Sequence, residues 1–278
     1  MKEQFDEVSH LFSKLITRKY STSFSLGIYF LDEKLREPIY DIYGFVRLAD
    51  EIVDSFHHYE KSKLLEKFRQ QTTFAIDNKI SLNPVLNSFQ SVFHKFDIDL
   101  ELVDTFLNSM EMDLSYNKYN TNEYEDYILG SAEVVGLMCL RVFTENDKNL
   151  FNKLKPFAMK LGSAFQKINF LRDVKQDYEE LGRTYFPYID MSNFTATEKN
   201  EIEKNILSDF EEGLKGIKML PCSSRKGVYL AYYYYKKLYV KIKKLPPNKI
   251  LTTRVRISNI EKLYLMIKSM IKYKLNYL

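Results

Sequence analysis

The sequence predicts an all-α, single-domain helical bundle, and three observations carry the prediction. Helix-period runs of apolar residues follow one another along nearly the whole chain, with short polar connections. Only 9 glycines and 7 prolines punctuate 278 residues, too few for the many turns of a β architecture. No repeat, low-complexity linker or composition shift divides the chain, and 45% hydrophobic residues suffice for one large core.

In chain order, the helical signal opens in "TRKYSTSFSLGIYFL" and continues into "DEKLREPIYDIYGFVRLADEIVDSF". A polar helix follows around "EKSKLLEKFRQQTTFAI". Periodicity then predicts helices over 84–96, 100–114, 122–143, 147–178, 196–219, 225–244 and 259–278. Turn-forming residues place breaks at "SLNPV", "FDIDL", "SYNKYNT", "TENDK", "LGRTYFPYID", "LPCSS" and "LPPNK".

Composition narrows the function classes. Two cysteines, Cys139 and Cys222, are too few and too poorly spaced for a disulfide framework or a zinc site, and read as reduced thiols. The start "MKEQFDEVSHLF" has acids where a signal peptide is basic and then apolar. No stretch approaches the ~18 consecutive apolar residues of a spanning helix. A cytoplasmic protein, at most peripheral to a membrane, is expected. The net charge of +4 hides an asymmetry. From Arg225 to Leu278, fourteen Lys/Arg stand against one acid, Glu261, a net +13 that leaves Met1–Ser224 at −9. Such a tail suits nucleic acid, an anionic membrane or a phosphorylated substrate, or simply balances the acidic body.

The chemistry concentrates in two stripes. On a helix at 100° per residue, Gln166, Asn169, Asp173 and Asp177 fall within an arc of roughly 80°, beside apolar Phe165, Ile168, Phe170, Leu171 and Val174. Tyr43, Arg47, Asp50 and Asp54 fall within a comparable arc of an earlier helix, with Glu51 off the line as an ordinary surface acid. One D-x-x-x-D pair alone reads as a solvated face. Two, each on an otherwise apolar helix, need a compensating cation if their flanks are buried. Histidine is nearly absent from these faces, which disfavours a di-iron site. Hard carboxylate oxygens with room for substrate phosphate suit Mg²⁺.

These residues resemble the squalene and phytoene synthases, the head-to-head trans-isoprenyl diphosphate synthases. The resemblance runs through "YSTSFSLGIYFL", "IYGFVRLADEIVD", "MEMDLSYNKYNTNEYEDYILGSAEVVGLM", "LGSAFQKINFLRDVKQDYEELGRTYFP" and "AYYYYKKL…TTRVRIS". Bacterial phytoene synthases are the most similar branch. The resemblance implies an isoprenoid-synthase bundle whose two Asp motifs face each other across a central cavity. It implies condensation of two geranylgeranyl diphosphates through a cyclopropylcarbinyl diphosphate to phytoene, in carotenoid biosynthesis. Squalene or dehydrosqualene synthesis from farnesyl diphosphate is the alternative, and C15 against C20 stays open. A non-catalytic scaffold of the same fold should have lost the aspartates, and head-to-tail enzymes usually carry D-D-x-x-D clusters, absent here.

By matching positions, the resemblance implies that Asp50, Asp54, Asp173 and Asp177, with Asn169, hold two or three Mg²⁺, for which Mn²⁺ could substitute. Gln166 would contact metal-bound water or diphosphate. Arg47, Arg172 and Arg254 would hold diphosphate oxygens, helped by Ser21, Ser23 and Tyr234, the last ambiguous by one position in "AYYYYKK". Tyr43 and Phe24 would line the site. NADPH is not expected, since no Gly-rich fingerprint is present, although the family binds it without one. The chain departs from the family at "YILGSAEVVG", where Leu129 replaces a tyrosine and Glu133 a small residue. Glu133 is then a replacement acid/base, a partner for an arginine, or part of a structural salt bridge. The basic, amphipathic last helix suggests a peripheral hold on an anionic bilayer, or packing on the body. No nucleic-acid module is visible, and none is expected to bind.

Overall fold

Polar caps set where several helices of this computed structural model begin. It describes residues 1–115, 118–179, 182–187, 189 and 193–274. The first three helices are α1 (Lys2–Tyr20), α2 (Thr22–Tyr29) and α3 (Glu33–Ser55). Ser21 breaks α1 with an extended backbone, and its hydroxyl accepts from the Phe24 amide to start α2. Asp32 starts α3 in the same way. Then come α4 (Lys61–Asn78), α5 (Pro84–Lys95), which opens on Asn83 and Pro84, and α6 (Leu100–Ser115). An Asn120–Glu123 capping box opens α7 (Thr121–Ile128), which runs through one π-helical turn, Leu129–Glu133, into α8 (Val134–Phe143). The long α9 (Lys148–Glu179) is followed by α10 (Ala196–Met219), opened by a Thr195–Glu198 capping box. The chain ends in α11 (Cys222–Lys243), α12 (Pro247–Thr252) and α13 (Asn259–Lys274). Among the described residues no strand forms, and Lys118 and Thr184 make an isolated bridge.

The predicted helices are present in the predicted order, with departures: the short α12 overlaps the expected break at "LPPNK", and Ser21 splits the first expected run into α1 and α2. The first helix starts at Lys2, well before the expected Thr17. It buries Ser9, Ser13 and Thr17 and leaves Val8, Leu11, Phe12 and Leu15 exposed, the reverse of a core-facing pattern. The π turn was not expected. The breaks at "SYNKYNT" and "LGRTYFPYID", and residues 275–278, lie partly or wholly outside the described residues.

Three apolar clusters hold the helices together. One joins α3, α4, α5, α6 and α8, the second joins α9, α10 and α11, and a small third lies under α8 and the start of α9. Two close backbone approaches bring the walls of the space between them together. A Cβ on Gly162 of α9 would stand 2.8 Å from the Ala132 carbonyl oxygen of the π turn. One on Gly227 of α11 would stand 2.6 Å from the Gly27 carbonyl of α2.

Phe45 is fully buried in the first cluster and stacks on Phe89 with ring centroids 4.0 Å apart, with Phe68 and Phe106 each at 5.5 Å. Phe45→Ala removes a ring whose neighbours cannot collapse into the gap. We expect a loss of about 3–5 kcal/mol in denaturant unfolding, whereas a loss under about 1 kcal/mol would show that this cluster does not bear the packing.

Candidate active site

Where the three clusters meet, they leave a cavity of about 290 Å³, near the lower end of the range for ligand pockets. Its wall is apolar through most of its length: Ile28 of α2, Leu31 just after it, Ile39, Ile42 and Val46 of α3, Phe165 of α9 and Val228 of α11. Phe143, Leu154, Phe157 and Leu220 also contribute. The polar groups on the wall include Asp50, Gln166, Asn169, Tyr43, Tyr235 and Ser131. Phe24 and Tyr43 face each other here with centroids 5.3 Å apart, and Tyr235 stacks on Phe165 at 4.1 Å.

The two D-x-x-x-D helices, α3 and α9, bring their acids within electrostatic reach of each other. Asp177 feels Asp54 as well as its own neighbour Asp173, and Asp50 feels Asp54 and Asp113. Burial first, then these like charges, push the Asp50 and Asp177 carboxyls each up to about 8. The Asp50 side chain keeps 34% of its surface accessible and is part of the cavity wall.

Guanidinium groups partly offset this charge. Arg172 Nε donates to both Asp173 oxygens at 3.0 and 3.1 Å, and Arg254 Nε lies 2.7 Å from Asp173 Oδ1. Arg47 donates to Glu51, lies 3.9 Å from Asp50, and sits over the Tyr20 ring at 4.4 Å. Glu51 is thus a half-buried partner of Arg47, not a plain surface acid, because the i,i+4 spacing turns it back towards the arginine. Among the described residues, the buried Arg47 Nε meets no hydrogen-bond partner.

The sequence reading missed a network behind the acids. Arg183, in the segment after α9, donates to Asp54 at 3.0 Å and lies 3.6 Å from Asp113 of α6. The hydroxyls of Tyr119, Tyr127 and Tyr185 all donate to Asp113, at 3.1, 2.7 and 3.1 Å. Burial raises the Asp113 carboxyl to about 6, with Arg183 pulling the other way. The residues stand in "MEMDLSYNKY" and "RTYFP", but neither Asp113 nor Arg183 belongs to either carboxylate stripe.

The other expected residues fall out as follows. Asn169 and Gln166 share the cavity wall, where Asn169 donates to Gln166 and accepts from Tyr235 at 3.3 Å each. Tyr235, not Tyr234, lines the cavity; Tyr234 lies one position round the helix, beside Arg172. Ser21 caps α2 and is hydrogen-bonded to half-buried Tyr43. Ser23 is half-buried and off the cavity wall. Glu133 also lies off the cavity wall, and the cations it feels are Lys160 and Lys167, which pair with Asp209, rather than an arginine. Leu129 packs into the first apolar cluster.

Among the described residues, no three Asp, Glu, His or Cys groups close up into a ready-made metal site. The donor set nevertheless fits a hard divalent cation. Carboxylates crowded enough to be held protonated near neutral pH gain most from an added cation, and Mg²⁺ takes only one or two of them while water and substrate fill its other positions.

The sequence profile of the squalene/phytoene synthase family matches residues 17–261. Over 201 residues, 68% of this chain and 64% of the relative, the sequence is 31% identical to a phytoene synthase of Arthrospira platensis. It is 26% identical to a 4,4'-diapophytoene synthase of Staphylococcus haemolyticus over 73% of this chain and 70% of that one. A crystal structure of a dehydrosqualene synthase in complex with ligand superposes with a TM-score of 0.82, covering 98% of both chains at 22% identity, a likeness of fold.

The raised carboxyls have a thermodynamic consequence. The folded protein holds protons on Asp50 and Asp177 up to about pH 8, whereas the unfolded chain releases them near pH 4. Between those values folding takes up protons, so these two groups make the protein less stable as pH rises. We expect Asp50→Asn to flatten the fall in melting temperature between about pH 5 and pH 8, and Mg²⁺ to raise melting more at the upper end. A metal-free Asp50→Asn profile that falls as steeply as the parent's would show that Asp50 is not under this strain.

Proposed function

The chain belongs to the squalene/phytoene synthase family, a family of prenyltransferases, and from that premise we propose that it joins two geranylgeranyl diphosphates head to head to give phytoene. The observation that carries this reading is a single cavity, apolar along its length, with D-x-x-x-D carboxylates of two helices and several guanidiniums gathered beside its polar wall. An isoprenoid diphosphate has the same division, a long apolar chain and a doubly anionic head.

In this reading Asp50, Asp54, Asn169, Asp173 and Asp177 hold Mg²⁺, two or three ions with Mn²⁺ as a substitute. When bound, the metal neutralises the departing diphosphate. Arg47, Arg172 and Arg254 hold diphosphate oxygens through their planar forks, with Ser21 and Tyr234 nearby. Gln166 and Asn169, fixed by each other and by Tyr235, orient the head group at the cavity wall. The allylic cation left behind is attacked by the second molecule's double bond, and loss of a proton from the carbon that carried the departed diphosphate closes the cyclopropane. The resulting cyclopropylcarbinyl diphosphate ionises and rearranges, and a final proton loss gives the product. Phe24, Tyr43, Phe165 and Tyr235 present ring faces and edges beside the polar wall. Each face can stabilise a cation by about 0.5–2 kcal/mol, and the apolar wall excludes the water that would quench it.

A second reading is head-to-head coupling of farnesyl diphosphate. It is favoured by the diapophytoene synthase relative.

Incubation with each labelled diphosphate and Mg²⁺, with and without NADPH, followed by mass spectrometry, separates the readings. We expect a C40 product from geranylgeranyl diphosphate without NADPH; a product only from farnesyl diphosphate would select the second reading, and none from either would reject both. Asp50→Ala and Asp173→Ala should each lower turnover by about 10²–10³-fold or more with helicity intact. Turnover close to that of the parent protein would remove these carboxylates from the chemistry.

A further inference from the structure

Helix α1 is built inside out. Its inward face carries small polar side chains, and four ties fix it there. His10 Nδ1 bonds buried Asp41 at 2.7 Å, and Ser13 bonds Ser88 at 2.7 Å. Asn87 donates to Ser9 at 3.1 Å and to Asp6 at 2.8 Å. The helix therefore cannot roll to hide Val8, Leu11, Phe12 and Leu15, which all stand exposed on one stripe. Helix α13 repeats the pattern. Leu265 and Ser269 are buried, while Ile260, Leu263, Tyr264, Ile267 and Ile271 form an exposed stripe within an arc of about 100°.

The two helices meet the same element. Helix α1 packs against α2, and α13 reaches it through Lys262, which donates to the Thr22 hydroxyl. Helix α2 has Gly27 and Ile28 on the cavity and Tyr29 exposed.

Charge decides what covers these stripes. From Val8 to Tyr20 the chain carries Lys14, Arg18 and Lys19 and no acid. On α13, Lys262, Lys268 and Lys272 accompany the stripe, and its one acid, Glu261, is engaged by Lys241. A second copy of the chain laid symmetrically on the α13 stripe would set like charges against like; the α1 stripe, preceded by exposed Glu3 and Glu7, is basic in its second half only. An anionic lipid surface instead accepts the apolar residues below its headgroups and the lysines among its phosphates.

We propose that α1 and α13 dock the protein on an anionic phospholipid bilayer, with α2 and the cavity behind it held close to the lipid. No helix of the described residues is long and apolar enough to cross a membrane, so the contact is peripheral. The proposal stands on exposed faces alone and does not depend on which substrate the cavity takes.

The test is co-sedimentation of the full chain with phosphatidylcholine vesicles, with and without phosphatidylglycerol. We expect binding about tenfold or more tighter to the anionic vesicles, weakened by salt. Leu11→Gln with Leu15→Gln, and separately Leu263→Gln with Ile267→Gln, should each lower it by about tenfold without changing helicity or melting. Lys268→Glu with Lys272→Glu should act on the anionic vesicles alone. No binding to anionic vesicles, equal binding to neutral ones, or full binding by the four-residue glutamine variant would each overturn the proposal. So would a dimer, seen by analytical ultracentrifugation, that the glutamine variants dissolve while vesicles stay unbound.

Discussion

The structure is organised around the cost of gathering carboxylates in a desolvated place. Asp50 feels Asp54, and Asp177 feels Asp173 on its own helix and Asp54 on the other; like charges inside protein repel far more than they would in water. Two answers are visible. Asp173 is clasped by Arg172 and Arg254, while Asp50 and Asp177 respond by holding on to protons. A site tuned in this way favours any added cation that replaces a proton, which links the fold's strain to the chemistry proposed for it.

The strain is contained by cross-links between elements distant in sequence. Arg183 ties the segment after α9 to Asp54 on α3 and to Asp113 on α6. Asp113 in turn collects three tyrosine hydroxyls, so its charge is met by hydrogen bonds as well as by the guanidinium. This buried network fixes the ends of both aspartate helices, and it gives Tyr127 a structural task at the threshold of the π turn. The apolar side of the cavity depends on different physics. Backbone contacts at Gly162 and Gly227 draw α9 and α11 close to their neighbours, leaving a slot between packed side chains in place of a filled core.

Much of this was legible in the residues. Helix order followed from apolar period and turn chemistry, both local properties, and the carboxylate stripes followed from the same period. The first helix was not legible by that rule, because what it buries is Ser9, Ser13 and Thr17. Hydrogen bonds to Ser88, Asn87 and Asp41 replace the apolar stripe by which helices are found. Glu51 and Glu133 were misjudged or left open for a related reason. An acid's role depends on which cation its helix turns it towards, and those cations sit on positions that periodicity cannot rank.

The sequence by itself determined that the chain is helical, that two D-x-x-x-D pairs lie on apolar helices, and that the tail is basic. Each of these is set by residues within a few turns of one another. Only the tertiary structure decided that Arg183 reaches Asp54 across 129 positions, that Asp113 anchors three tyrosines, and that Tyr235 rather than Tyr234 meets the cavity. Those outcomes turn on the rotation and spacing of whole helices. Packing fixes both to within a side chain's width, and no local pattern encodes them.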